Sequence, residues 1–151
     1  MATLAPAPRA ATADGPLVLY DGYCGLCDRS VRWLVEADRR AVLRFAPLQG
    51  ETAAPILARH GIPATQEFRS MLTVENPGGP NERVRVRSDG ALAALAVVGG
   101  GWTGLARAAR WVPGILRDAV YDFIARHRFR WFGRLVACRI PTPAERARFL
   151  P

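Results

Sequence analysis

The stretch that most constrains the fold is LVLYDGYCGLCDRSVRWLVEAD, Leu17 to Asp38, in which an apolar run breaks at a turn and passes at once into helical spacing. Residues 16–20 read as a short buried strand, entered at Pro16 and left through the turn dipeptide Asp21-Gly22. Beyond Cys24, the residues Cys27, Val31, Leu34 and Val35 recur at i, i+4, i+7 and i+8, while Asp28, Arg29, Arg32 and Glu36 fall mostly elsewhere around the wheel. This predicts a helix ending near Arg40. Two of the chain's three cysteines therefore stand on the first turn of a helix that follows a strand directly.

The rest of the chain extends the same pattern. Residues 41–48 alternate as a second strand, and GETAAPILARHG gives a short helix closed by Gly61, with Pro55 tolerated in its first turn. Residues 70–75 and 82–88 form a hairpin across NPGGP. The first of these strands is apolar enough to be buried on both faces, whereas Arg83, Arg85 and Arg87 on one side mark the second as a sheet edge. Ser88 with Asp89 opens a helix through Val98, and residues 102–136 read as helices broken at GGGW and VPG. The order β-α-β-α-β-β-α with a helical tail is that of a thioredoxin-like α/β fold: a three-layer sandwich around a central four-stranded mixed sheet, with a C-terminal helical extension from about residue 102. A single domain is expected over 16–151, preceded by an Ala/Pro-rich leader, 1–15, expected to be disordered.

Charge is uneven. All 21 basic residues are arginine, and +7 of the formal +8 lies in residues 101–151. The first residues lack the charged start and apolar core of a secretory signal, so a cytoplasmic location is expected. ALAALAVV, at 91–98, falls far short of the roughly 20 apolar residues that cross a bilayer as a helix. An odd cysteine count in a reducing compartment favours reactive or metal-binding thiols over a disulfide framework.

Cys24 and Cys27 fit a redox pair. At a helix start the first N–H groups have no intrahelical acceptor and the macrodipole is positive, so a thiolate there is stabilised. Cys24, the outer residue, is the expected nucleophile, and Cys27, brought back beneath it by the helix, the resolving thiol. Asp21, at the strand end, either shuttles the proton of Cys27 or simply caps the helix or shapes the Asp-Gly turn. Zinc would need a second pair of ligands, and only Cys138, His60 and His127 remain, at no recognisable spacing. A phosphatase-type loop fails because Ser30 stands where arginine is required. Burial as two small hydrophobes suits Cys27 better than a residue at an exposed helix mouth.

YDGYCGLCDRSVRWLVEAD, then RFAPLQ, then YDFIARHRFRWFG with Cys138 after it, resembles the DCC family of predicted thiol-disulfide oxidoreductases from about Leu17 to Pro141. The resemblance implies a thioredoxin-like fold with Asp21, Cys24 and Cys27 as functional residues. It implies thiol-disulfide exchange and leaves the substrate unnamed; the expected partner is a protein or small thiol, and no cofactor or metal is expected to be required. Thioredoxins also place a cis-proline before the strand facing the thiols; here Pro63 lies seven residues before Ser70, so Arg69 or Ser70 takes that place. Gln49 and Ser70 are the substrate-side candidates, Gln49 being either a hydrogen-bonding group near the thiols or an ordinary turn residue. Cys138 is either a third redox thiol or a packed cysteine at the domain end.

The rival expectation is a non-enzymatic binding module whose basic C-terminal third docks an acidic partner, a membrane surface or nucleic acid, the last being least favoured. The segment ARHRFRWFGR interleaves Arg with aromatics, and the simplest arrangement has its rings covering a core while its arginines stay wet.

Overall fold

Alternation along Leu17–Tyr20 (β1) sends Leu17 and Leu19 to one face and Val18 and Tyr20 to the other, and all four are buried. A strand buried on both faces needs a layer on each side, and the computed structural model supplies them. It describes residues 15–63, 71–137 and 139–151. Arg69, Ser70, Cys138 and, apart from Gly15, the expected leader lie outside the described residues.

From β1 the chain enters α1 (Gly25–Ala37) and returns as β2 (Arg44–Pro47), parallel to β1, the crossover that a parallel pair requires. Helix α2 (Ala53–Arg59) follows, then β3 (Leu72–Glu75) and β4 (Arg83–Arg85). The sheet runs β2-β1-β3-β4, with β3 antiparallel to both β1 and β4, so the arginine-bearing strand is an edge as expected. Leu17 and Leu19 pack with Leu72 and Val74 of β3 against Ile56 and Leu57 of α2. On the opposite face Val18, Tyr20 and Phe45 meet Cys27, Val31 and Leu34 of α1 and Ala94 and Val98 of α3 (Arg87–Val98). This is the three-layer mixed-sheet sandwich of the thioredoxin-like fold.

Two helices complete the extension, α4 (Gly101–Ala109) and α5 (Gly114–Phe132), broken at the glycines and Pro113 as expected. Ser88 does not cap α3; the helix begins at Arg87, with Val86 in the cap position. Ser88 is instead buried, and its hydroxyl donates to the Asp118 carboxylate of α5, which ties the extension to the sandwich. The tail then crosses the molecule. Phe149 pairs in parallel with Phe45, Leu150 N–H donates to the Phe45 carbonyl at 2.8 Å, and the two phenyl rings stack at 5.2 Å. The free edge of β2 is covered by this contact.

Candidate active site

Cys24 occupies the N-cap position of α1 in an extended conformation, φ −98° and ψ 121°, with its carbonyl accepting the Asp28 N–H at 3.0 Å. No side-chain cap closes this helix end; the Gly25 N–H is taken by a backbone carbonyl, and the Leu26 and Cys27 N–H groups are the ones that act on the Cys24 sulfur. The Cys24 thiol is lowered from 9.0 to about 6, first by a hydrogen bond from the Cys27 thiol, then by the Cys27 backbone N–H, the Arg128 charge and the Leu26 backbone N–H, against the opposing cost of burial. Cys27 is pushed up, because its proton is held in the bond to Cys24, because it is buried, and because the Cys24 thiolate repels a second negative charge. The pair thus shares one proton, and Cys27 keeps it.

Sequence reasoning places Cys24 at an exposed helix mouth, and the structure corrects this: Cys24 is 0% exposed and Cys27 6%. The reason lies far along the chain. After α5 the backbone turns at Gly133 and runs beside the cysteine turn as an antiparallel bridge between Arg134 and Cys24. Gly25 N–H donates to the Gly133 carbonyl at 3.2 Å and Leu135 N–H to the Tyr23 carbonyl at 2.8 Å. Gly25 permits this approach, since a Cβ there would run into the carbonyl oxygen of Phe132. Backbone cannot swing aside as a side chain does. Gly25→Ala is therefore expected to destabilise the reduced protein by about 1–3 kcal/mol in urea denaturation, and an unchanged midpoint would contradict the close approach.

Asp21 lies wholly buried beneath this turn. Its Oδ1 accepts the Tyr23 N–H at 3.1 Å, an Asx-type turn, and the Gln49 Nε2–H at 2.8 Å. Gln49 in turn accepts the Gly22 N–H at 3.2 Å, so it braces both the carboxylate and the turn and is more than a loop residue. Asp21 Oδ2 has no hydrogen bond and faces the Arg128 guanidinium at 3.5 Å.

Arg128 is the residue of this site that sequence reasoning misses. It projects from α5 into the interior, 7% exposed, facing Asp21 and with its charge acting on both thiols, and its guanidinium lies 4.6 Å from the Phe129 ring centroid. The expectation that arginines of this segment stay wet fails here. The companion expectation, that its rings cover a core, fails at Trp131, which is about half exposed. A signal was present: Tyr121, Ala125, Arg128 and Phe132 recur at i, i+4, i+7 and i+11, a face that includes one arginine.

Beside the thiols lies an apolar cavity of about 200 Å³ between α1, α3 and α5, lined among others by Leu26, Cys27, Met71, Tyr121, Ile124 and Arg128. Among the described residues no group of three or more His, Cys, Asp or Glu side chains gathers that could hold a metal. The arrangement offers one ionised sulfur, one protonated sulfur in contact with it, a buried carboxylate and a buried guanidinium.

Comparison with known proteins agrees with this chemistry. The chain is 34% identical over 135 residues to a Bacillus subtilis (strain 168) protein named YuxK and described as uncharacterized, covering 89% of this chain and 93% of that protein. It is 30% identical over 125 residues to an Arabidopsis thaliana protein described as DCC family protein At1g52590, chloroplastic, covering 83% of this chain and 69% of that one. No solved structure matches. The model of the DCC1-like thiol-disulfide oxidoreductases matches residues 18–134, the span that holds Cys24, Cys27, Asp21, Gln49, Arg128 and the covering turn, and the chain belongs to that family.

Proposed function

We propose that the protein is an enzyme of thiol-disulfide exchange whose working groups are Cys24 and Cys27. The observation that supports this best is the contact between the two sulfurs at the start of α1, with Cys24 favoured as thiolate and Cys27 as thiol. In the reducing direction the Cys24 thiolate attacks one sulfur of a substrate disulfide, forming a mixed disulfide and releasing the other sulfur as a thiolate. Cys27 then loses its proton and attacks Cys24, which releases the second substrate thiolate and leaves a Cys24–Cys27 disulfide. Two electrons pass to the substrate, and a reductant dithiol, or two thiols in turn, restores the Cys24–Cys27 dithiol through a mixed disulfide and is itself left as a disulfide.

Asp21 is proposed to take the Cys27 proton. It is buried, one of its oxygens lacks a hydrogen bond, and its backbone hydrogen-bonds at the Cys27 sulfur. Arg128 favours negative charge on the two thiols, and Gln49 fixes the orientation of the Asp21 carboxylate. The cavity lined by Cys27 is the proposed docking place for substrate, a protein or low-molecular-weight disulfide; Cys24 is wholly buried and does not line it, so its attack requires the covering backbone at Arg134 to move.

The test is the ionisation of Cys24, followed by thiolate ultraviolet absorbance in the reduced protein minus that of a Cys24→Ser variant. A titration near pH 6 is expected, and one near the free-thiol value of about 8.5 would remove the basis of the proposal. The sign of the linked stability follows. Because the folded value is depressed below 9.0, the Cys24 contribution is complete above 9.0, declines as pH falls, and is lost below about 6. The reduced parent is expected to gain stability over Cys24→Ser as pH rises through that window.

A further inference from the structure

Helix α5 carries apolar side chains around its whole circumference, yet the protein covers only one side of it. Tyr121, Ala125, Arg128 and Phe129 point inward and are partly or fully buried. Leu116, Val120, Phe123, His127 and Trp131 recur at i, i+4, i+7, i+11 and i+15 and form a single outward stripe about 22 Å long. Four of these are wide open: Leu116 at 58%, Val120 at 61%, Phe123 at 51% and Trp131 at 52% exposure. His127 stacks between Phe123 and Trp131, with centroids at 4.5 and 5.0 Å, so the stripe ends in a ridge of three rings. Such a length of exposed apolar surface on one helix marks an interaction face.

Charge says what the face meets. The two acids of α5 turn away from the stripe and are engaged, Asp118 by Ser88 and Asp122 by Arg87 at 3.6 Å. Arg126 and Arg130 border the stripe and meet no carboxylate among the described residues; Arg126 donates only to the backbone carbonyl of Asp122. A cationic rim without anions, on a third of the chain with net charge +7, repels a second copy of itself and attracts a negative surface. Aromatic and aliphatic side chains on one face with arginines alongside match the boundary between lipid headgroups and acyl chains. No helix among the described residues is long and apolar enough to cross a membrane, so α5 can lie along a bilayer but not through it.

We propose that the outer face of α5 seats the protein on an anionic bilayer surface, with Phe123 and Trp131 entering the headgroup boundary and Arg126 and Arg130 meeting lipid phosphates. Ile124, which flanks the stripe, also lines the cavity beside Cys27, so apolar surface continues from the docked face to the thiols. The docking itself stands apart from the exchange chemistry.

The experiment is co-sedimentation of the full chain with vesicles of phosphatidylcholine alone or mixed with phosphatidylglycerol, at about 0.15 M salt. Binding at least about tenfold tighter to the phosphatidylglycerol vesicles is expected, weakening as salt rises. Phe123→Glu with Trp131→Glu is expected to lower that binding about tenfold or more, with an unaltered circular dichroism spectrum. Arg126→Gln with Arg130→Gln, which leaves the rings in place, is expected to remove the preference for anionic lipid. Equal binding to both vesicles, or unaltered binding by the glutamate variant, overturns the proposal. So does a dimer in sedimentation equilibrium that the glutamate variant dissociates, which would make this face a contact between copies.

Discussion

A Cys24→Ser chain is expected to lose thiol-disulfide exchange by about three orders of magnitude or more, since a hydroxyl is not ionised near neutral pH and does not attack disulfides. The substitution is well suited to separate chemistry from folding. Cys24 is the N-cap residue of α1 and makes no side-chain cap bond, and serine is among the preferred residues there, so the fold is expected to survive. Cys27→Ser is expected to behave differently: it retains attack by Cys24 and accumulates a mixed disulfide that nothing resolves. Reduction of a small aromatic disulfide gives the rate, and the mass of the trapped adduct, with the modified peptide, gives the site. Parent-level turnover by Cys24→Ser, or an adduct found in the Cys24→Ser chain at Cys27 at the parent rate, would reverse the assigned roles.

Local physics makes much of this fold legible in the sequence. Val18 and Tyr20 alternate with Leu17 and Leu19, the α1 stripe has a helical period, and Gly61 and Pro113 stand where elements stop, each signal acting within a few residues. The start of α1 beside Cys24 was legible for the same reason. What the sequence hides is set by contacts between distant segments. Arg134 meets Cys24 across more than a hundred residues, so the covering of the thiol leaves no mark in the cysteine motif. Arg128 resembles its wet neighbours until Asp21 and the thiols are seen beneath it. Gln49, a turn residue by composition, becomes a brace only because β2 lies parallel to β1 and brings the two strand ends together. Ser88 shows a further limit: its propensity for a helix cap is outweighed by the Asp118 carboxylate that the extension brings to it.

The same reasoning identifies the largest stability effect outside the site. Arg148, near the end of the tail, is 6% exposed and pairs at 2.7 Å with Asp38, which is 1% exposed and follows α1. Its Nε donates to the Leu43 carbonyl at 3.0 Å and another nitrogen to the Val35 carbonyl at 3.3 Å, while the Leu43 N–H donates to the same Asp38 oxygen at 2.7 Å. One guanidinium therefore joins the tail, the end of α1 and the approach to β2. Arg148→Met retains much of the volume but leaves a buried carboxylate with a single backbone donor and two carbonyls without their partner. Breaking a buried pair from one side costs about 3–5 kcal/mol, and for a chain of this size the melting temperature should fall by roughly 10 °C. The decisive comparison is the double variant, Asp38→Leu with Arg148→Met. If the cost is the stranded charge, removing the carboxylate as well recovers a large part of it, and the double variant melts above the single one. If the double variant melts at or below the single one, the guanidinium acts through its carbonyl contacts and its packing over Phe45 instead of through Asp38.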